Sequence, residues 1–222
     1  MARIGLAAIT SILVLYALNP TEAVYNDIFG YGALVLKEAT TGLLMGFAAN
    51  IIGNIILLAG NIIDMDIGLS MVSMFDPSMN TQLTITGSIY NQFVMMLFLV
   101  SDMHRYTLKA VIDSFSLIPL GGAVFRVDVL LQAMIVYFTD LFILAFRIMM
   151  PIFASMLIIN VVLGVMSKVA PQMNMFAIGV QIKIIVGFLI LFIMVFLFPK
   201  VGNLVFKEAI LMMDNMLDGM HN

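Results

Sequence analysis

The charged and titratable residues of this chain are few, and their spacing offers little to a catalyst. Asp64 and Asp66 form an Asp-x-Asp pair, the start of a divalent-cation loop. Calcium loops need further oxygen ligands at set positions, and Met65 and Ile67 supply none. Asp102, His104 and Arg105 cluster within four residues. A carboxylate beside an imidazole can relay protons, but a solvated helix end gives the same cluster. Asp140 and Arg147 stand seven residues apart, about two helical turns, and so project from nearly the same face. A pair of opposite sign is the simplest way to hold both in an apolar helix; each can equally pair with another chain. Lys183 is a lone cation inside an apolar run.

The motifs that carry common chemistries are missing. There is no phosphate-binding Gly-x-x-x-x-Gly-Lys and no dinucleotide Gly-x-Gly-x-x-Gly. There is no His-Glu-x-x-His and no Gly-x-Ser-x-Gly elbow. The chain has no cysteine and two histidines, which removes thiolate sites and leaves too few ligands for an all-protein zinc site. Scattered carboxylates alone are a poor catalytic set, so the expectation is a non-enzyme without cofactor or metal. With a net charge of −3 and no basic stripe, nucleic acid is not an expected partner.

What the chain has in abundance is apolar surface. Hydrophobic residues make up 63% of its 222 positions and charged residues 10%, against about 45–50% and 25% in soluble domains. Burial against lipid or partner subunits is the stable solution. The 21 methionines read as Leu substitutes or as a deformable filling, since Met packs irregular gaps.

The elements follow from runs and breakers. Ile4–Leu18 is a short apolar run ended by Pro20, either a signal-peptide core or a helix. Residues 21–32 read as a polar loop and 33–63 as a long helical region. Gly42, Gly46, Gly53 and Gly60 recur there at helical spacing, a stripe along which another backbone can approach closely. From Asp64 to Leu83 the apolar pattern fails, which predicts a loop between two helices. Helix resumes over 84–101 and an amphipathic stretch follows to Pro119, with a turn at Leu120-Gly121-Gly122. A second long helix covers 129–166 with an interruption at Pro151, a polar turn spans 167–174, and a strongly apolar helix runs over 175–198 to Pro199. The amphipathic tail, 201–222, is expected to lie on a membrane surface or on a partner. The class is all-α and membrane-associated. Broken helices with Asp140, Arg147 and Lys183 inside them also suit a small-solute transporter, but no convincing inverted repeat supports it.

Two stretches are more specific. One runs Ala59-Gly60-Asn61-Ile62-Ile63-Asp64-Met65-Asp66-Ile67-Gly68-Leu69-Ser70 into Phe75-Asp76-Pro77. The other holds Pro151, Asn160-Val161-Val162-Leu163-Gly164 and Ala170-Pro171-Gln172-Met173-Asn174-Met175-Phe176-Ala177-Ile178-Gly179. With Ser114-Phe115 and Leu117-Ile118-Pro119-Leu120-Gly121 between them, they resemble, in order and over nearly the whole chain, the FliR/SctT family of type III secretion export-gate proteins. Family members usually carry one more apolar helix ahead of the point matching Ala2–Gly5, which makes Ile4–Leu18 a helix and not a leader. They also often carry Glu where Asn61 stands.

The resemblance implies a helical hairpin array: a FliP-like half over 1–125, a FliQ-like hairpin over 126–200 and the tail over 201–222. It implies a subunit of the flagellar export gate in the inner membrane at the basal body, or of an injectisome gate. Its partners would be FliP-like and FliQ-like gate subunits, a FlhB-like export protein, unfolded export substrates and the membrane. It also implies that residues 67–83 form a plug closing the channel, with Ile67, Gly68, Leu69, Ser70, Met71, Met74, Phe75, Asp76, Pro77 and Met79 as its working residues. Soft apolar side chains in a segment that resists regular helix suit a seal that excludes ions and yields to a chain.

Overall fold

In the computed structural model, the structure describes residues 2–18, 25, 27–70, 84–172 and 174–221. Among them the chain is helical, without strands. The helices are α1 (Ala2–Leu18), α2 (Ile28–Ala49), α3 (Ile51–Ile67), α4 (Ile85–Val100), α5 (Met103–Leu117), α6 (Val127–Val169), α7 (Met175–Met194) and α8 (Phe198–Met220), with a 3-10 turn, Val195–Leu197, joining the last two. Two helical runs, Val127–Val169 and Ala177–Met220, are long and apolar enough to cross a membrane; α2 and α3 taken together would make a third, broken span. This is an all-α membrane protein.

Several boundaries differ from the sequence expectation. Helix α2 begins at Ile28, inside the stretch read as loop, and Asn50 separates it from α3. Helix α3 continues through Asp64 and Asp66 to Ile67. It stops at Gly68, whose φ of +94° is a left-handed conformation that glycine adopts without strain. Pro151 does not interrupt α6, which is continuous for 43 residues. A proline inside a helix forfeits one backbone bond, a loss that neighbours and hydroxyl groups can offset in membrane helices. Pro199 does not end a helix either. It stands in the first turn of α8, where its missing N–H would have had no partner.

The chain divides into two compact units, each assembled from separated stretches. The first holds Met1–Asn50, Asp102–Tyr137 and Glu208–Asn222. Here Phe47 of α2 stacks on Tyr137 of α6 with ring centroids 4.3 Å apart. The turn after α5 is clamped by adjacent residues of α2: Lys37 Nζ donates to the Gly121 carbonyl at 2.7 Å, and Gly121 N–H donates to Glu38 Oε1 at 2.7 Å. Gly121 sits at φ +77°.

The end of α8 is held by the segment leading into α6. Val124 N–H donates to the Met220 carbonyl at 2.9 Å and Arg126 N–H to the Gly219 carbonyl at 3.0 Å. The Arg126 guanidinium donates to the Asp218 carbonyl. Carbonyls that a helix C-terminus leaves unpaired are thereby satisfied, and a cation there complements the helix dipole. The tail is not a free amphipathic helix: its apolar stripe, including Ala209, Met212, Met216 and Met220, is buried in the fold. A face the sequence offered to a membrane or partner is taken by the chain itself, with Met as core filling.

The second unit holds Ile51–Ser101 and Phe138–Lys207. Its core is the α3–α4 hairpin. Ile51, Ile55, Ala59, Ile63 and Ile67 recur every fourth residue along α3 and are at most 1% exposed. Tyr90 of α4 meets Phe198 edge-on at 4.4 Å, and Phe98 meets Phe206 at 5.9 Å. A Cβ on Gly202 would stand 2.9 Å from Leu97 Cδ1, so the start of α8 fits tightly against α4.

Candidate functional site: the base of the α3–α4 hairpin

The segment singled out by the sequence starts at the end of α3. Ile67, Gly68 and Leu69 are buried and Ser70 is partly exposed. Met71, Met74, Phe75, Asp76, Pro77 and Met79 lie outside the described residues. The frame of this segment is formed by the two helix ends between which it runs.

Those ends are joined twice. Thr84 caps α4, its hydroxyl accepting from Gly87 N–H at 3.0 Å. This satisfies one of the orphan amides of a helix start. A second orphan, Thr86 N–H, is directed at Asp64 on α3 and lies 3.2 and 3.3 Å from the two carboxylate oxygens. Asp64 is 3% exposed. A buried carboxylate is costly unless hydrogen-bonded, and a helix N-terminus is a favourable place for one. One turn earlier the backbones meet. A Cβ on Gly60 would lie 2.2 Å from Gly87 Cα, which no real side chain permits.

Asp64, read as the residue that ends a helix, is instead the side chain by which α3 holds the start of α4. Thr86, Gly87 and Tyr90 were not singled out by the sequence, although Thr84-Ile-Thr-Gly87 carries the signal of a capped helix start with a glycine in its first turn. The Tyr90 hydroxyl is buried and has no hydrogen-bond partner among the described residues.

The remaining glycines behave differently. A Cβ on Gly42 or Gly46 would meet nothing within 4 Å. Both border a cavity of about 300 Å³ lined also by Met45, Thr107, Phe115 and Met213. Gly53 lies in α3 and is partly exposed.

The charged residues are not drawn together in the order the sequence suggested. Asp140 and Arg147 form no ion pair with each other; among the described residues the only one within 4.0 Å joins Arg105 to Asp102, at 3.6 Å between exposed side chains. That is a solvated helix end. Lys183 on α7 is partly buried and lies within electrostatic reach of Asp66 on α3. Close by, a Cβ on Gly187 would stand 2.8 Å from Ile67. The lone cation of α7 and the second member of the Asp-x-Asp pair are thus within electrostatic reach near a tight helix contact, without forming an ion pair. Among the described residues no group of three His, Cys, Asp or Glu could hold a metal ion.

Comparison with known proteins adds the family. The sequence profile of bacterial export proteins, family 1, matches residues 1–209. The flagellar biosynthetic protein FliR of Buchnera aphidicola subsp. Acyrthosiphon pisum is 26% identical over 216 residues, covering 97% of this chain and 83% of that protein. FliR of Bacillus subtilis is 28% identical over 218 residues, with the same coverage of 97% and 83%. The surface presentation of antigens protein SpaR of Shigella sonnei is 31% identical over 161 residues, 72% of this chain and 61% of that protein. With a profile match over nearly its whole length, this membrane helical chain belongs to bacterial export protein family 1, the FliR/SctT family.

Proposed function

We propose that this type III export apparatus subunit forms part of the conduit through which unfolded flagellar subunits leave the cytoplasm, and that residues 67–83 are its closing plug. The observation that carries this reading is the locked hairpin base. Asp64 holds Thr86, and Gly60 meets Gly87, so the segment between them is presented from fixed helix ends. A plug must yield while its frame stays closed, and a satisfied polar contact beside a glycine–glycine contact supplies the frame. The FliR relatives favour a flagellar gate at the basal body of the inner membrane, assembled with FliP-like and FliQ-like subunits and a FlhB-like export protein. On this reading residues 1–125 play the FliP-like part and 126–200 the FliQ-like part. The SpaR relative supports a second reading, an injectisome gate with the same mechanics.

The test is electrical. Replacing residues 71–83 by a flexible Gly-Ser linker that spans the two helix ends should make the resting membrane leak ions in cells that also express the partner subunits. Unchanged conductance, with the variant assembled normally, would remove the plug from the proposal.

A further inference from the structure

The first unit contains a cavity whose polar lining can accept hydrogen bonds but not donate them. It measures about 300 Å³, and residues of α2, α5 and α8 within that unit line it. Its volume is at the lower end of the range for small-molecule sites. Gly42 and Gly46 lie along its open edge: both are exposed, and a Cβ on either would meet nothing within 4 Å. Met45, Val111, Phe115, Ile118 and Met213 make its apolar wall.

Four polar side chains interrupt that wall: Glu38 and Thr41 from α2, Thr107 and Ser114 from α5. Each hydroxyl spends its hydrogen within its own helix. Thr41 Oγ1 donates to the Lys37 carbonyl at 3.0 Å, Thr107 Oγ1 to the Met103 carbonyl at 2.9 Å and Ser114 Oγ to the Val111 carbonyl at 2.7 Å. What remains on each oxygen is acceptor capacity. Glu38 Oε1 accepts from Gly121 N–H at 2.7 Å, and among the described residues Oε2 receives no donor. The backbone supplies none either. Ile118 N–H, at the end of α5, is bonded to the Ser114 carbonyl at 2.8 Å, and the other lining residues lie inside helices, where their N–H groups are taken. Lys37, next to Glu38, is turned to the Gly121 carbonyl at 2.7 Å. Among the described residues no cation stands within 4.0 Å of the Glu38 carboxylate.

We propose that this cavity binds a primary alkylammonium ion. The head sits against Glu38 and Thr41, neighbours one helical turn apart on α2, and a short alkyl chain lies on Met45, Phe115 and Met213. An ammonium group has three donors and no acceptor, the complement of a wall that only accepts. An anion would meet acceptors alone, and an alcohol brings a single hydrogen and no charge. Water could satisfy the oxygens but would wet the methionines and Phe115, which an alkyl chain covers. The site does not depend on the export reading.

The probe is n-hexylammonium carrying a diazirine on its alkyl chain, photolysed with the full chain in mild detergent. Adducts should map to peptides containing Met45, Phe115 and Met213, and unmodified n-hexylammonium should compete them away. The matching diazirine of n-hexanol has the same chain without the charge and should label those peptides about tenfold less. Glu38→Gln removes the charge and keeps an acceptor for Gly121 N–H. It should lower ammonium labelling about tenfold and leave labelling by the alcohol unchanged. Equal labelling by ammonium and alcohol would mean that the cavity does not recognise the head. Ammonium labelling that ignores Glu38→Gln would place the amine elsewhere, and either result overturns the proposal. Comparing the two probes on the native chain stands even if the substitution impairs folding. The same labelling is then run on membrane vesicles from cells that express the chain. There the same adducts should form; their loss would mean that lipid or another subunit fills the cavity, and it would overturn a ligand site.

Discussion

Asp64 and Thr86 are 22 residues apart in sequence, yet the backbone N–H of one lies 3.2 Å from the carboxylate of the other. The contact is buried, and it closes the loop of chain in which the family resemblance places the plug.

Replacing Asp64 by Ala should leave Thr86 N–H buried without its acceptor, at a cost of about 1–3 kcal/mol. Asp64→Asn keeps one acceptor oxygen and should cost less. Thermal unfolding of the detergent-solubilised protein measures both. An Ala variant as stable as the parent would mean that the contact is not holding the hairpin.

The glycines divide into two classes with opposite outcomes. Gly60→Ala places a methyl group against the backbone of Gly87, which cannot give way as a side chain can. It should separate α3 from α4 and cost more than about 3 kcal/mol. Gly42→Ala and Gly46→Ala meet open space and should be neutral or stabilise by up to about 1 kcal/mol, because Ala is the better helix former. Unfolding midpoints of the three variants decide the matter, and equal effects would contradict the packing described.

Tyr90→Phe removes a buried hydroxyl that has no hydrogen-bond partner among the described residues, and it keeps the edge-on contact with Phe198. Stability should hold or rise, by up to about 1 kcal/mol. A loss of more than that would show that the hydroxyl has a partner.

The turn at Gly121 makes a further demand. Its left-handed backbone and its two bonds to Lys37 and Glu38 predict that Gly121→Ala costs about 1–2 kcal/mol. Glu38→Gln, which keeps the acceptor, should cost less than Glu38→Ala. The same unfolding measurement, run on all three, would expose a clamp that contributes nothing.

Much of this was legible in the sequence where local chemistry decides structure. The start of α4 beside Thr84, the Gly121-Gly122 turn and the apolar runs of α4, α6 and α7 fall where residue types place them. The failures are tertiary. Asp64 and Asp66 look like helix breakers until α4 and Lys183 are set beside them. Pro151 and Pro199 look like stops, but one is absorbed within a long membrane helix and the other occupies a first turn that tolerates it. The tail's amphipathic face advertises a partner, and the partner is the chain itself. Of the two readings of Asp140 and Arg147, the pair within the chain does not form, since residues two turns apart on one helix are still about 10 Å from each other along the axis.

A subunit of a type III export gate must assemble with the gate's other components. Co-expression with the neighbouring FliP-like and FliQ-like proteins, followed by purification in mild detergent through a tag on this chain alone, tests it most directly. One stable complex containing all three is the expected result. Recovery of this chain folded but alone, under conditions where the other two assemble with each other, would contradict it.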